Sequence, residues 1–302
     1  FNIASRKQIA DRLQAKGWKP TQMTEKGNVI INEAVLSKIK LPEAKMFNRY
    51  FLLQKRTGLL KSWIMACQED NRVRGSVMTL RTITGRMAHA VPNMAQVPAV
   101  YSPYGRECRG LWTVDDVSKH RLVGVDASGL ELRCLAHYMN DPEYTNIVLT
   151  GDVHTANQER AGLKTRDQAK TFIYAFLYGA GAAKIGKVVG GTAKHGQQLI
   201  TRFLNNMPAL KHLRMLVSKE SAGGTIKALD GRLLHIRSEH AALNTLLQGA
   251  GAIVCKQWLV HIMERVIKAK LDARLVASIH DEYQFEVAIP DIERFCRLTK
   301  EA

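Results

Sequence analysis

Two acids stand where short apolar runs end. Asp126 closes the run LVGVD, and Asp281 follows LVASIH with Glu282 directly after it. Leu122 to Val125 reads as a strand. Arg274 to Ile279 and Tyr283 to Val287 read as a hairpin with Asp281 at or beside its bend. A strand holds a carboxylate on a rigid support, which is what a metal site requires. Carboxylates suit Mg²⁺, which keeps several waters and takes one or two carboxylates plus substrate phosphates. Two such ions, about 3.5–4 Å apart, clamp an in-line phosphoryl displacement. The bland alternative is that both aspartates are turn or cap residues, since D-A-S-G resembles the start of a helix. Two acids at the bend of an apolar hairpin, however, need compensation for their desolvation. His280 reads as a packed or hydrogen-bonded support rather than a ligand.

The stretch TRDQAKTFIYAFLYGAG spaces Arg166, Lys170, Tyr174 and Tyr178 four residues apart. On a helix each step of four overshoots a turn by about 40°, so these side chains trace a slow spiral. Phe172, Ile173, Phe176 and Leu177 occupy the other sides. Arg166 as a fork and Lys170 as a point charge could hold a triphosphate, and an aromatic one turn later offers a surface on which a base can stack. A solvated basic face with core tyrosines has the same spacing.

The elements that must position these groups follow from caps and periodicity. Ser5 caps a helix to Lys16 that Gly17 stops. Glu43 to Ala66, Ser128 to Met139, Thr165 to Tyr178, Lys194 to Phe203, Pro208 to Glu220 and Ala241 to Ala269 also read as helices. Val73 to Val77 reads as a short strand, and Ile226 to Ile236 as a hairpin turning at Asp230-Gly231. Strands and helices mix without a βαβα rhythm, which argues for an α+β fold with an antiparallel sheet at its centre.

The 302 residues, 46% of them hydrophobic, suffice for one large core or two. Lys and Arg total 44 against 27 acids, a net charge of +17, which points to a polyanion such as nucleic acid without separating DNA from RNA or acidic lipid. No apolar run approaches a membrane span, and FNIASRKQIA holds no signal peptide. The five scattered cysteines suit a reduced, intracellular protein. The first residue is not Met, so the chain reads as a fragment.

Three segments in order, VDASGLELR, RDQAKTFIYAFLYGAG and IHDEYQFEV, resemble motifs A, B and C of the family A DNA polymerases. FNIASRKQ, TITGR (Thr82 to Arg86), PNMAQVP, SPYGRECR and HAALNTLLQGAGA fit the same family. DASGLELRCLAH and FLYGAG are most similar to its T-seven-type phage members. The resemblance implies a right hand with an antiparallel palm sheet, helical fingers and a thumb only partly present. Residues 1–70 would be a thumb remnant and its connection to the palm. Residues 71–140 would be the first part of the palm, 141–238 the fingers, and 239–302 a second, C-terminally truncated part of the palm. Relatives continue past the catalytic hairpin with a further helix and strand, and the chain looks shorter than phage relatives between Leu216 and Ala228.

By the same resemblance, Asp126, Asp281 and the Ala127 carbonyl would hold two Mg²⁺ ions, with Glu282 an auxiliary acid near the primer end. Arg166, Lys170 and His154 would meet the phosphates of an incoming dNTP, and Tyr174 would stack against it. Tyr178 and Gly179 would shape the templating pocket. Arg86, His240, Asn244 and Gln248, together with His280, would face primer-template DNA. Asn244 and Gln248 lie one turn apart on a helix, and minor-groove acceptors are nearly the same for every base pair, so such donors can check pair shape without reading sequence. Glu131 would pack against the sugar and exclude a 2′-hydroxyl. The related single-subunit RNA polymerases carry Gly there and Met at the position of Tyr174, so deoxynucleotides are expected. The implied activity is template-directed DNA synthesis in phage replication, in the cytoplasm of an infected bacterial host, with any processivity factor or helicase-primase bound through regions outside this chain. A metal-dependent nuclease and a catalytically silent DNA-binding module are the alternatives.

Overall fold

The computed structural model describes all 302 residues. The chain runs through α1 (Arg6–Ala15), α2 (Glu33–Leu36), α3 (Pro42–Ala66), β1 (Ser76–Met78), β2 (Ala88–Ala90) and α4 (Gly105–Gly110). It continues through β3 (His120–Asp126), α5 (Leu130–Met139), α6 (Pro142–Thr150), α7 (Val153–Ala161), α8 (Arg166–Leu177), α9 (Ala182–Val188), α10 (Ala193–Asn205) and α11 (Pro208–Glu220). The last elements are β4 (Thr225–Lys227), β5 (Leu233–His235), α12 (Ala242–Lys268), β6 (Ala273–Ile279), β7 (Glu282–Ala288) and α13 (Ile292–Glu301). The order is mixed and the strand pairs of the central sheet are antiparallel, as the sequence predicts. No helix is long and apolar enough to cross a membrane.

Two compact units divide the chain. One comprises Phe1–Ser76 and His89–Trp112, the other Val77–Ala88 and Thr113–Ala302. In the first, Ile9, Leu13, Ile31, Leu36 and Phe47 form the core of the α1–α3 region. Ser5 caps α1 by accepting from the Gln8 amide. Trp63 and Trp112 meet edge to face at 4.9 Å, and Arg56 Nε donates to the Pro103 carbonyl at 3.1 Å.

In the second unit a three-stranded sheet, ordered β3-β7-β6, carries the catalytic candidates. Its buried face presents Tyr283, Phe285 and Val287 at alternate positions, the period of a strand. Phe285 packs on Phe295 of α13 at 4.8 Å between ring centres. The Tyr283 hydroxyl donates to the Cys255 carbonyl of α12 at 2.7 Å, and Trp258 of the same helix donates to the Thr299 carbonyl at 3.0 Å. Leu135, Tyr144, Phe172, Ile173 and Phe203 extend this core through the helices that follow β3.

Three expectations are corrected. The helix after Asp126 begins at Leu130, not Ser128, with Gly129 in the left-handed region (φ +64°). The sheet holds the intervening residues: Ala127 N–H donates to the Asp281 carbonyl and Ser128 N–H to the Asp126 carbonyl, so the helix cannot start sooner. Val73 does not begin a strand. It bridges back to Cys67 around the turn at Asp70 and Asn71, and β1 starts only at Ser76. A further helix, α13, does follow the hairpin, because Phe295 has the ring of Phe285 to pack against.

Phe285, fully buried between sheet and α13, is the expected weak point of this layer. Phe285→Ala should lower stability by about 3–5 kcal/mol, read as a fall in the urea midpoint at unchanged slope.

Candidate active site

The sheet brings the three acids to one edge. Asp126 is the last residue of β3 and lies opposite Glu282, the first residue of β7. The two strands of the hairpin pair Ile279 with Glu282, so only His280 and Asp281 form the bend. The Ala127 amide ties this bend to β3 at 3.0 Å, through the Asp281 carbonyl. His280 takes φ +59°, a region few residues other than glycine occupy. Such backbone persists only where its surroundings enforce it. Here two paired strands and the cross-link to Ala127 do so. The Asp126 carboxyl is held above the usual aspartate range, first by burial and then by the like charges of Asp281 and Glu282. The facing register thus keeps mutually repelling carboxylates together.

Glu131, in the first turn of α5, forms a second cluster. Its carboxylate accepts from the Tyr178 hydroxyl at 3.1 and 3.0 Å and from Arg86 at 3.4 Å. The Arg86 and Glu131 side chains are only 18% and 11% exposed, so this pair is shielded where most surface pairs are not. Burial, followed by the Glu131 charge, pushes the Tyr178 phenol up to about 12. The sequence suggests separate roles for Glu131, Tyr178 and Arg86. In the folded chain they are one hydrogen-bonded set.

Thr165 caps α8 by accepting from the Gln168 amide. Arg166 forms a fork with Asp152, Nε to Oδ2 at 2.6 Å and a terminal nitrogen to Oδ1 at 3.2 Å. Asp152 also caps α7 by accepting from the His154 and Thr155 amides. The Arg166 guanidinium holds this carboxyl well below the usual aspartate range. Asp152 is absent from the residues singled out in the sequence, and its signal is the aspartate of G-D-V-H immediately before a helix. His154 lies 6.2 Å from Tyr174 and Tyr174 lies 6.4 Å from Tyr178, ring centre to ring centre. Burial, then Arg166 and Lys170, lowers the His154 pKa, which favours neutral imidazole. Lys170 is exposed on the same helix.

Gly179, just beyond α8, has φ +73°. A Cβ there would stand 2.2 Å from the His240 carbonyl oxygen, so only glycine allows the two segments to meet. His240 therefore lies against the end of α8. Asn244 and Gln248 are half-buried, one turn apart on α12. Arg86, Lys256, Ser278, His280 and Tyr283 line a cavity of about 10 Å³, room for one water. The Lys256 ammonium donates to the Thr79 carbonyl at 2.7 Å.

The profile of DNA polymerase family A matches residues 1–302. The chain is 42% identical over 334 residues to the DNA-directed DNA polymerase of Enterobacteria phage T3, covering 97% of this chain and 47% of that protein. It is 42% identical over 324 residues to the DNA-directed DNA polymerase of Escherichia phage T7, covering 94% and 46%. Identity to DNA polymerase I of Geobacillus stearothermophilus is 27%, over 100% of this chain and 37% of that protein. The chain thus spans about half the length of the phage relatives it matches. The POL domain of Pol1 from M. smegmatis, solved in complex with DNA primer-template and dNTP, superposes with a TM-score of 0.87 at 21% identity, covering 100% of this chain and 57% of that one. That likeness establishes the fold. With the profile spanning every residue and motifs A, B and C in order, the chain belongs to DNA polymerase family A.

Proposed function

We propose that this chain performs template-directed addition of deoxynucleotides to a primer 3′ end. The observation that carries the reading is the register that sets Asp126 against Glu282 and ties Asp281 to Ala127, in a chain whose α8 also carries Arg166, Lys170 and Tyr174. In this reading residues 71–140 and 239–302 are the palm, residues 141–238 the fingers, and residues 1–70 lead from the thumb. The net charge of +17 suits a phosphate backbone. The setting is phage DNA replication in the cytoplasm of an infected bacterium, with any processivity factor or helicase-primase engaging other parts of the protein.

The donor set fits a hard divalent cation. Its candidates are all oxygen: Asp126, Asp281 and the Ala127 carbonyl. An all-oxygen set suits Mg²⁺, which keeps waters and takes substrate phosphate oxygens, more than zinc. Burial first, and then the like charges of Asp281 and Glu282, raises the Asp126 carboxyl, and a bound cation would favour its charged form. When bound, two Mg²⁺ ions would lower the pKa of the primer hydroxyl and neutralise charge on the leaving pyrophosphate.

The chain's own residues supply position and charge. The Arg166–Asp152 fork is 51% and 44% exposed, so exchanging the carboxylate for a triphosphate costs little. Lys170, one turn on, neutralises the leaving group or gives it a proton. His154, largely neutral, offers one N–H donor to the phosphates. Tyr174 stacks on the incoming nucleotide, and Tyr178 with Gly179 bounds the templating side. Glu131, held by Tyr178 and Arg86, forms a fixed wall at the sugar edge that excludes a 2′-hydroxyl. His240, Asn244, Gln248 and His280, with Arg86, face the primer terminus and the minor groove. A nuclease built on the same acids has no use for a triphosphate-binding helix, and a silent binding module has no use for the acids.

Primer extension in Mg²⁺ and dNTPs should yield elongation, where a nuclease would shorten the primer. Asp281→Ala should reduce elongation on the order of 10³-fold or more, the loss of several kcal/mol of charge stabilisation, while salt-sensitive DNA binding persists. Loss of binding in that variant would make the acid structural.

Because the Asp126 pKa is raised in the folded state, its protonated form contributes stability that is fully present below the ordinary aspartate pKa and lost as pH rises through the raised value. Asp126→Asn should therefore raise the Tm in metal-free buffer near pH 8, and the gain should shrink toward pH 4.

Tyr174→Phe should increase discrimination against dideoxynucleotides by about tenfold or more, one hydroxyl's hydrogen bond. The measurement is the ratio of kcat/KM for dNTP over ddNTP, and an unchanged ratio removes Tyr174 from the sugar edge.

A further inference from the structure

β7 leaves the bend with Glu282 and, two residues on, Gln284, so both side chains share one face of the sheet. In the β3–β7 register, Glu282 stands opposite Asp126 and Gln284 opposite Gly124. The Gln284 side chain turns back along its own strand, and its Nε2 donates to Glu282 Oε1. Residue 124 makes that path possible. A Cβ on Gly124 would stand 2.7 Å from Gln284 Nε2 and 3.2 Å from its Oε1, so any side chain there would push the amide away. The neighbours Val123 and Val125 pack against the core, as the period of two requires.

We propose that Gln284 is a positioning residue: its amide holds the Glu282 carboxylate in one orientation beside Asp126, and Gly124 provides the space for it. A glutamate next to two other acids is repelled by them and has several rotamers to choose from. A single neutral donor selects one rotamer. A lysine or arginine in that place would also bind the carboxylate, but its charge would compete with a divalent cation for the same acids. A leucine or valine would leave Glu282 unrestrained. Gly124 leaves the room in which the Gln284 amide lies, so the two positions act together across two strands. The inference rests on the reading of Glu282 as an acid near the primer end.

The test is single-nucleotide primer extension over a dNTP series, with thermal melts of every variant. Gln284→Leu should lower kcat about tenfold, the loss of one hydrogen bond to a charged group, with KM for dNTP within about twofold of the parent, since the Gln284 side chain is engaged with Glu282. Gly124→Ala should reproduce this loss. The double variant should be no slower than either single one, because both break the same contact. Additive losses, a change confined to KM, or a parental kcat in Gln284→Leu while Glu282→Gln is slow would overturn the proposal and leave the role of Glu282 standing. A parental kcat in Glu282→Gln would instead sink the reading of Glu282 and the proposal with it.

Discussion

Pairing of β3 with β7 is the constraint on which the site depends. It sets Asp126 opposite Glu282, and the Ala127 amide extends the pairing by one bond onto the Asp281 carbonyl. Carboxylates repel one another, and solvent would keep them apart in an unstructured chain. The ladder hydrogen bonds and the buried ring faces of Tyr283 and Phe285 hold them together. Burial first, and then the charges of Asp281 and Glu282, raises the Asp126 pKa. In the proposed reading, function and stability pull against each other here, as they do wherever like charges are gathered for chemistry.

The second cluster serves the site differently. Glu131, Tyr178 and Arg86 come from the start of α5, the end of α8 and the T-x-T-G-R stretch. The Arg86 and Glu131 side chains are largely shielded from solvent, which suits the proposed wall at the sugar edge. The Arg166–Asp152 fork is the opposite case. It is exposed, and it holds the arginine in a defined place.

Glycines act in this protein as openings rather than as hinges. Gly179 admits the His240 carbonyl, and Gly124 admits the Gln284 amide. In both cases a backbone without a side chain leaves room for another segment where a Cβ would clash. Each opening lies next to a residue with a proposed role in the reaction, which links backbone shape to chemistry more directly than loop flexibility does.

Local chemistry was legible in the sequence. Ser5 and Thr165 cap their helices, Pro208 opens α11, Asp230-Gly231 turns a hairpin, and the bend after Ile279 holds Asp281, because caps and turns are decided by residues within a few positions of each other. Motif order also identified the family, since three spaced signatures carry more information than any one. Pairings between distant segments were not legible. Nothing local in G-D-V-H names Arg166 as the partner of Asp152, nothing in TITGR names Glu131, and nothing in D-A-S-G shows that Ala127 and Ser128 are held by the sheet, delaying α5 to Leu130. Those contacts exist only once strand register and helix packing bring the segments to hydrogen-bonding distance, and register is set by burial of a whole face, not by the residues that then meet.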